Sequence, residues 1–114
     1  MPPSGNRDFT IVVTVSPDQA RAVLGLAGDV DTEAWPELTD VIQRLAAAPP
    51  DIIVVDLAAV TFVGSVLPNF LARLRQVVPA TTELTVSRPT RSARFILRVT
   101  DAAQFAKTAD ALPG

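Results

Sequence analysis

The sequence predicts an α/β domain with a mixed central sheet of four to five strands and about four helices, in the order β-β-α-β-α-β-α-α. Three observations carry that prediction. The segment Phe9–Val15 alternates with a period of two, Ile52–Val55 is β-branched and apolar on both sides, and later stretches repeat their apolar residues every three or four positions. Strand–helix–strand crossovers lay parallel strands side by side, whereas the first two strands are close enough for a hairpin, so the sheet must be mixed.

In the first strand Phe9, Ile11, Val13 and Val15 alternate with Thr10, Val12 and Thr14, the pattern of one strongly buried face. Ser16-Pro17-Asp18 breaks it, and the apolar run Ala22–Ala27 returns as the other arm of a hairpin ending at Gly28. Then Ala34, Leu38, Val41, Ile42 and Leu45 mark the buried face of a helix. Asp31 or Thr32 can cap it, Pro36 is tolerated only in its first turn, and Pro49-Pro50 ends it. Ile52–Val55 reads as a central strand covered on both faces, after which the chain is expected to turn through Leu57–Gly64. From Val66 to Val78, Leu67, Phe70, Leu71, Leu74 and Val78 fit a second helix with Ser65 as its cap and Pro68 in its first turn. Thr82–Val86 is a short strand, Pro89–Val99 a third helix and Asp101–Ala111 a fourth. Residues 1–8 are expected to form a flexible N-terminal segment and 9–112 a single domain with no internal repeat.

A chain of 114 residues, 48% hydrophobic with a net charge of −2, can bury one core and is far from a disordered composition. It has no histidine, cysteine or tyrosine, and Lys107 is its only lysine, so the common nucleophile–base pairs and zinc or copper ligand sets are missing. An enzyme is therefore not expected, nor a cofactor or metal, and no polar-lined pocket is expected near residues 64–69. No apolar run approaches the ~20 residues of a membrane helix, and no signal peptide is expected in the polar, proline-bearing first residues. Direct membrane insertion is not expected, and cytoplasmic residence is the default reading of a cysteine-free chain.

Charge is polarised along the chain. Between Asp29 and Asp40 every charged residue is acidic (Asp29, Asp31, Glu33, Glu37, Asp40), while Arg73, Arg75, Arg88, Arg91, Arg94 and Arg98 crowd the second half. Acids at a helix start and arginines on solvated faces are one reading. An acidic patch around Trp35, the single tryptophan, that meets a basic partner is the other. Arg91, Arg94 and Arg98 share a helix face, but net negative charge and the lack of interleaved aromatic residues argue against nucleic acid. The five glycines form no phosphate-cradling loop. The segment Val60–Leu71 (VTFVGSVLPNFL) places a hydroxyl and free backbone N–H groups at a helix start, as a plain cap or as a site.

Taken in order, GDVDTEAWPEL, IIVVDLAAVTFVGSVLPNFL, TELTVSRPT and the tail resemble the STAS domain of bacterial anti-sigma factor antagonists over roughly Phe9 to Leu112. Gly28, Asp31, Pro36-Glu37-Leu38, Asp56-Leu57, Val60 and Phe62 fall where that family's motif residues stand. The resemblance implies a STAS-like fold and a domain that binds an anti-sigma factor, usually a GHKL-type serine kinase, to free a sigma factor, as a monomer or weak dimer. The implied partner-binding residues are Asp29, Asp31, Trp35, Gly64, Ser65, Val66, Leu67 and Asn69. In the family, phosphorylation of the second serine of the turn abolishes binding. Without gaps, Gly64 stands at the acid, Ser65 at the first serine, Val66 at the phosphoacceptor and Leu67 at the glycine. Three readings follow: an antagonist permanently competent to bind, Ser65 as phosphoacceptor after a one-residue slip, or another STAS role, such as an accessory subunit on a membrane transporter's cytoplasmic ATPase.

Overall fold

The computed structural model describes residues 9–100, 102–104 and 106–109, and the expected flexible segment 1–8 lies outside them. Strands β1 (Phe9–Val15) and β2 (Arg21–Val30) form the expected antiparallel hairpin, with Val12 opposite Gly25. Its turn is held by its own side chains. The Ser16 hydroxyl donates to Asp18 Oδ1 (2.7 Å) and accepts from the Arg21 N–H (3.0 Å), and Asp18 also accepts from the Ala20 N–H (3.1 Å). Those bonds keep Gln19 at φ 60°, a left-handed conformation that non-glycine residues adopt rarely.

After the hairpin come α1 (Trp35–Ala47), β3 (Ile52–Val63), α2 (Val66–Val77), β4 (Glu83–Ser87), α3 (Arg91–Val99) and β5 (Lys107–Ala109). The strands stand in the sheet in chain order, antiparallel for β1 and β2 and parallel from β2 through β5. Asp31 Oδ1 accepts from the Thr32 N–H (2.7 Å) and opens a 3-10 turn, Thr32–Ala34, that feeds α1 with Pro36 in its first turn. Thr90 starts α3 in the same way, its hydroxyl accepting from the Ala93 N–H (3.2 Å). Leu38, Val41, Ile42 and Leu45 of α1 join Leu67, Phe70, Leu71 and Leu74 of α2 over Ile53, Val55 and Leu57 of β3 in one buried cluster. Burying each large side chain contributes about 1.5–3 kcal/mol, which is what fixes α1 and α2 against the sheet and against each other.

Two expectations are corrected. The chain does not turn at Leu57: β3 continues to Val63, paired with β2 as far as Val30. The register shifts between Gly25 and Ala27 and between Gly28 and Asp29, and at each shift β3 carries an extra residue. Such bulges destroy the period of two, and Ala58, Ala59, Thr61 and Phe62 are exposed, so this stretch looks like a loop in the sequence. The expected fourth helix over Asp101–Ala111 is instead a 3-10 turn, Ala102–Gln104, followed by β5, which pairs Thr85 with Lys107 and Ser87 with Ala109. Residues 101, 105, 110 and 111 of that expectation lie outside the described ones. The open edge of β4 outweighs the alanine-rich helical preference of the segment, and the Arg88 N–H donates to Ala109 O (2.8 Å) to extend the ladder.

Asp56, at the first β3 bulge, ties β3 to the end of β4. It accepts from Arg88 Nε (3.1 Å) and Nη2 (2.5 Å) and from the Ala58 N–H (3.2 Å), with Arg88 in the left-handed region at φ 52°. Burial works to raise the Asp56 pKa, but the Arg88 and Ala58 hydrogen bonds and the guanidinium charge prevail and hold it below the usual 3.8. A carboxylate depressed in the folded state stabilises fully above its unfolded pKa and loses that contribution as pH falls through the folded value. Urea titrations should therefore show the gap between the wild type and Asp56→Asn constant above about pH 5 and closing below about pH 4. A gap that does not change over that window would remove the tie from the stability of the fold.

Candidate functional site

The ends of β2 and β3 and the start of α2 are drawn together at Gly64. Its N–H donates to Val30 O (2.9 Å), while its own carbonyl accepts from the Leu67 N–H (3.2 Å), and Ser65 O accepts from the Asn69 N–H (3.4 Å). Strand thus gives way to helix at Gly64. Ser65, expected as the cap, already has helical dihedrals (φ −66°, ψ −11°), makes no capping bond through its side chain and lies exposed. A Cβ on Gly64 would lie 3.4 Å from Asp31 Oδ1 and 3.7 Å from the Phe62 ring.

Beside this turn an open groove of about 520 Å³ runs between the start of α1 and the outer face of α2. Thr32 and Trp35 form one wall, and Val66, Asn69, Ala72, Arg73 and Gln76 form the floor and the other. Near residues 64–69, where no polar-lined pocket is expected, the concavity is thus an open groove with more apolar than polar lining.

The expected site residues divide into groups. Trp35, Val66 and Asn69 line the groove, with Trp35 half-buried against the edge of the core and Val66 only 7% exposed. Asp31, Gly64 and Ser65 form the neighbouring turn, with Asp31 and Ser65 exposed. Asp29 does not line the groove; its carboxylate accepts from the Thr61 hydroxyl (2.8 Å) and ties β2 to β3. Leu67, expected at the partner surface, has no exposed surface and belongs to the core, because its helical position faces Leu71 and Leu74 rather than Asn69. Thr32, Ala72, Arg73 and Gln76 were not anticipated. The last three were legible, since residues three, four and seven places beyond Asn69 share its helix face. Half-exposed Phe62, beside Gly64, was hidden by the bulged end of β3.

Asp31 and Glu33 are exposed around the start of α1 beside the groove, and Arg73 lines its other side. Among the described residues no cluster of carboxylates could hold a metal ion, and no helix is long and apolar enough to cross a membrane. An exposed hydroxyl, a tryptophan wall and a shallow groove of mixed charge suit contact with a protein surface.

A mixed five-stranded sheet with this helix order is the STAS fold. Over 96% of its length the chain superposes with a TM-score of 0.83 on 92% of an anti-sigma factor antagonist from Mycobacterium paratuberculosis, at 25% identity. It superposes over 89% of its length on 90% of an anti-sigma-factor antagonist (STAS) domain protein from Planctomyces limnophilus, with a TM-score of 0.72 and 19% identity, a likeness of fold. In sequence it is 38% identical over 63 residues to the anti-sigma-F factor antagonist RsfB of Mycobacterium tuberculosis, a match covering 55% of this chain and 52% of RsfB. The chain thus spans about half the length of the curated relatives it matches, and no protein-family model matches it. The chain thus has the STAS fold and is similar to anti-sigma factor antagonists.

Proposed function

We propose that this chain is an anti-sigma factor antagonist that binds its anti-sigma factor through the Trp35–Asn69–Arg73 groove and the adjoining Asp31–Ser65 turn, without a phosphorylation switch at position 66. The observation that carries this reading is the coincidence of the groove with the strand-to-helix turn in a fold matched almost end to end by an antagonist. The relative RsfB is an antagonist of an anti-sigma-F factor. By this reading the partner is a GHKL-type serine kinase. Its basic surface meets Asp31 and Glu33, and an acid of the partner meets Arg73.

On the ungapped match to the family pattern Val66 stands at the usual phosphoacceptor; it has no hydroxyl, and it lines the groove. A phosphate there would add about −1.5 to −2 charges to a contact that must be desolvated. Valine removes that possibility and supplies apolar surface instead, so the partner is held whatever its kinase activity.

Co-purification with a tagged chain, followed by mass spectrometry of the recovered proteins, tests the function. An anti-sigma factor is the expected product. Recovery of transporter subunits in its place would overturn the reading in favour of an accessory STAS domain.

A further inference from the structure

Strand β1 is an edge of the sheet, since among the described residues no strand lies beyond it. Edges of this kind are usually blunted by charge, proline or a bulge, because every second residue of an edge turns an unpaired N–H and C=O outward. β1 carries none of these devices. Its seven residues, FTIVVTV, contain no charge and no proline, and its pairing to β2 runs without a register shift. Val12 at its centre is 64% exposed and Val15 47%.

The strand is also self-complementary. About Val12, Ile11 mirrors Val13, Thr10 mirrors Thr14 and Phe9 mirrors Val15. An antiparallel pairing centred on Val12 therefore opposes aliphatic to aliphatic and threonine to threonine, both favourable cross-strand pairs. On the helical side, grooves between β1 and α1 lie along the same edge. Near Ile11 and Val13 one is lined by Glu37, Asp40 and Arg44, and near Val13 and Val15 the next is lined by Arg44 and Leu45. A two-fold axis at Val12 sets the Ile11 end of one copy beside the Val13 end of the other, and so brings Glu37 and Asp40 toward Arg44 of the second copy. Backbone pairing, side-chain type and charge all match the same occupant.

We infer that β1 pairs antiparallel with β1 of a second copy, forming a two-fold dimer with a continuous sheet across the axis. One strand and a helix flank bury little area, so the dimer is weak and its population depends on concentration. The surface is separate from the Trp35–Arg73 groove and does not depend on its proposed function.

Sedimentation velocity over a concentration series tests the inference, using the wild type, Val12→Lys and Val12→Glu. The exposed Val12 side chain makes both variants compatible with folding, which circular dichroism verifies. The wild type should show a monomer–dimer equilibrium, and each variant alone should dissociate about tenfold more readily because like charges oppose each other across the axis. An equimolar mixture of the two variants should recover dimer. A wild type that stays monomeric at its highest soluble concentration overturns the proposal. So does a dimer that both variants leave intact, or a mixture that fails to recover it while both variants remain folded.

Discussion

Leu67→Ala should lower the unfolding free energy by about 3 kcal/mol, because a fully buried leucine in α2 leaves a cavity that the packed core only partly closes. Leu67 lies among Leu71, Leu74 and Phe70 in the cluster that joins α2 to α1 and β3, and these neighbours are fixed by their own burial. Exposed Asn69, two residues on, gives the contrast: Asn69→Ala should change stability by less than about 0.5 kcal/mol. Urea unfolding of the two variants beside the wild type measures both. Equal midpoints for Leu67→Ala and the wild type would contradict the placement of this residue in the core.

Trp35→Ala should weaken partner binding by about 2 kcal/mol, roughly thirtyfold, while leaving the chain folded. The half-buried ring forms the α1 wall of the groove and offers a large rigid surface that costs little entropy to fix. Some stability is lost as well, because the ring packs against the edge of the core, so affinity is best measured by calorimetry well below the melting temperature. Arg73, exposed on the opposite wall and outside the core cluster, separates the two effects: in Arg73→Ala affinity should fall while stability holds. Unchanged affinity in both variants would place the partner elsewhere.

Much of the fold was legible because burial and periodicity coincide. The hairpin, α1 and α2 each carry one apolar face, and the β-branched Ile52–Val55 sits where the sheet is covered on both sides. The second half of β3 was not legible, since its two bulges interrupt the alternation and leave exposed residues in a strand. β5 was hidden for a different reason: three residues paired to the open edge of β4 carry no periodicity of their own, and the alanines around them favour a helix.

The site was legible in location but not in detail. The strand-to-helix junction was marked by Gly64-Ser65 between two apolar runs, and Ser65 stands at the expected N-cap position, although its side chain makes no capping bond. Leu67 belongs to the apolar face that it shares with Leu71 and Leu74, while Ala72, Arg73 and Gln76 share the face of Asn69.

The central claim, binding without a phosphorylation switch, is tested most directly by titrating the chain into its co-purified anti-sigma factor before and after incubation with ATP and magnesium, with intact mass recorded. The account predicts the same affinity in both titrations and no added phosphate. A phosphate appearing as binding is lost, with both effects absent in Ser65→Ala, would contradict it and make the exposed Ser65 the switch.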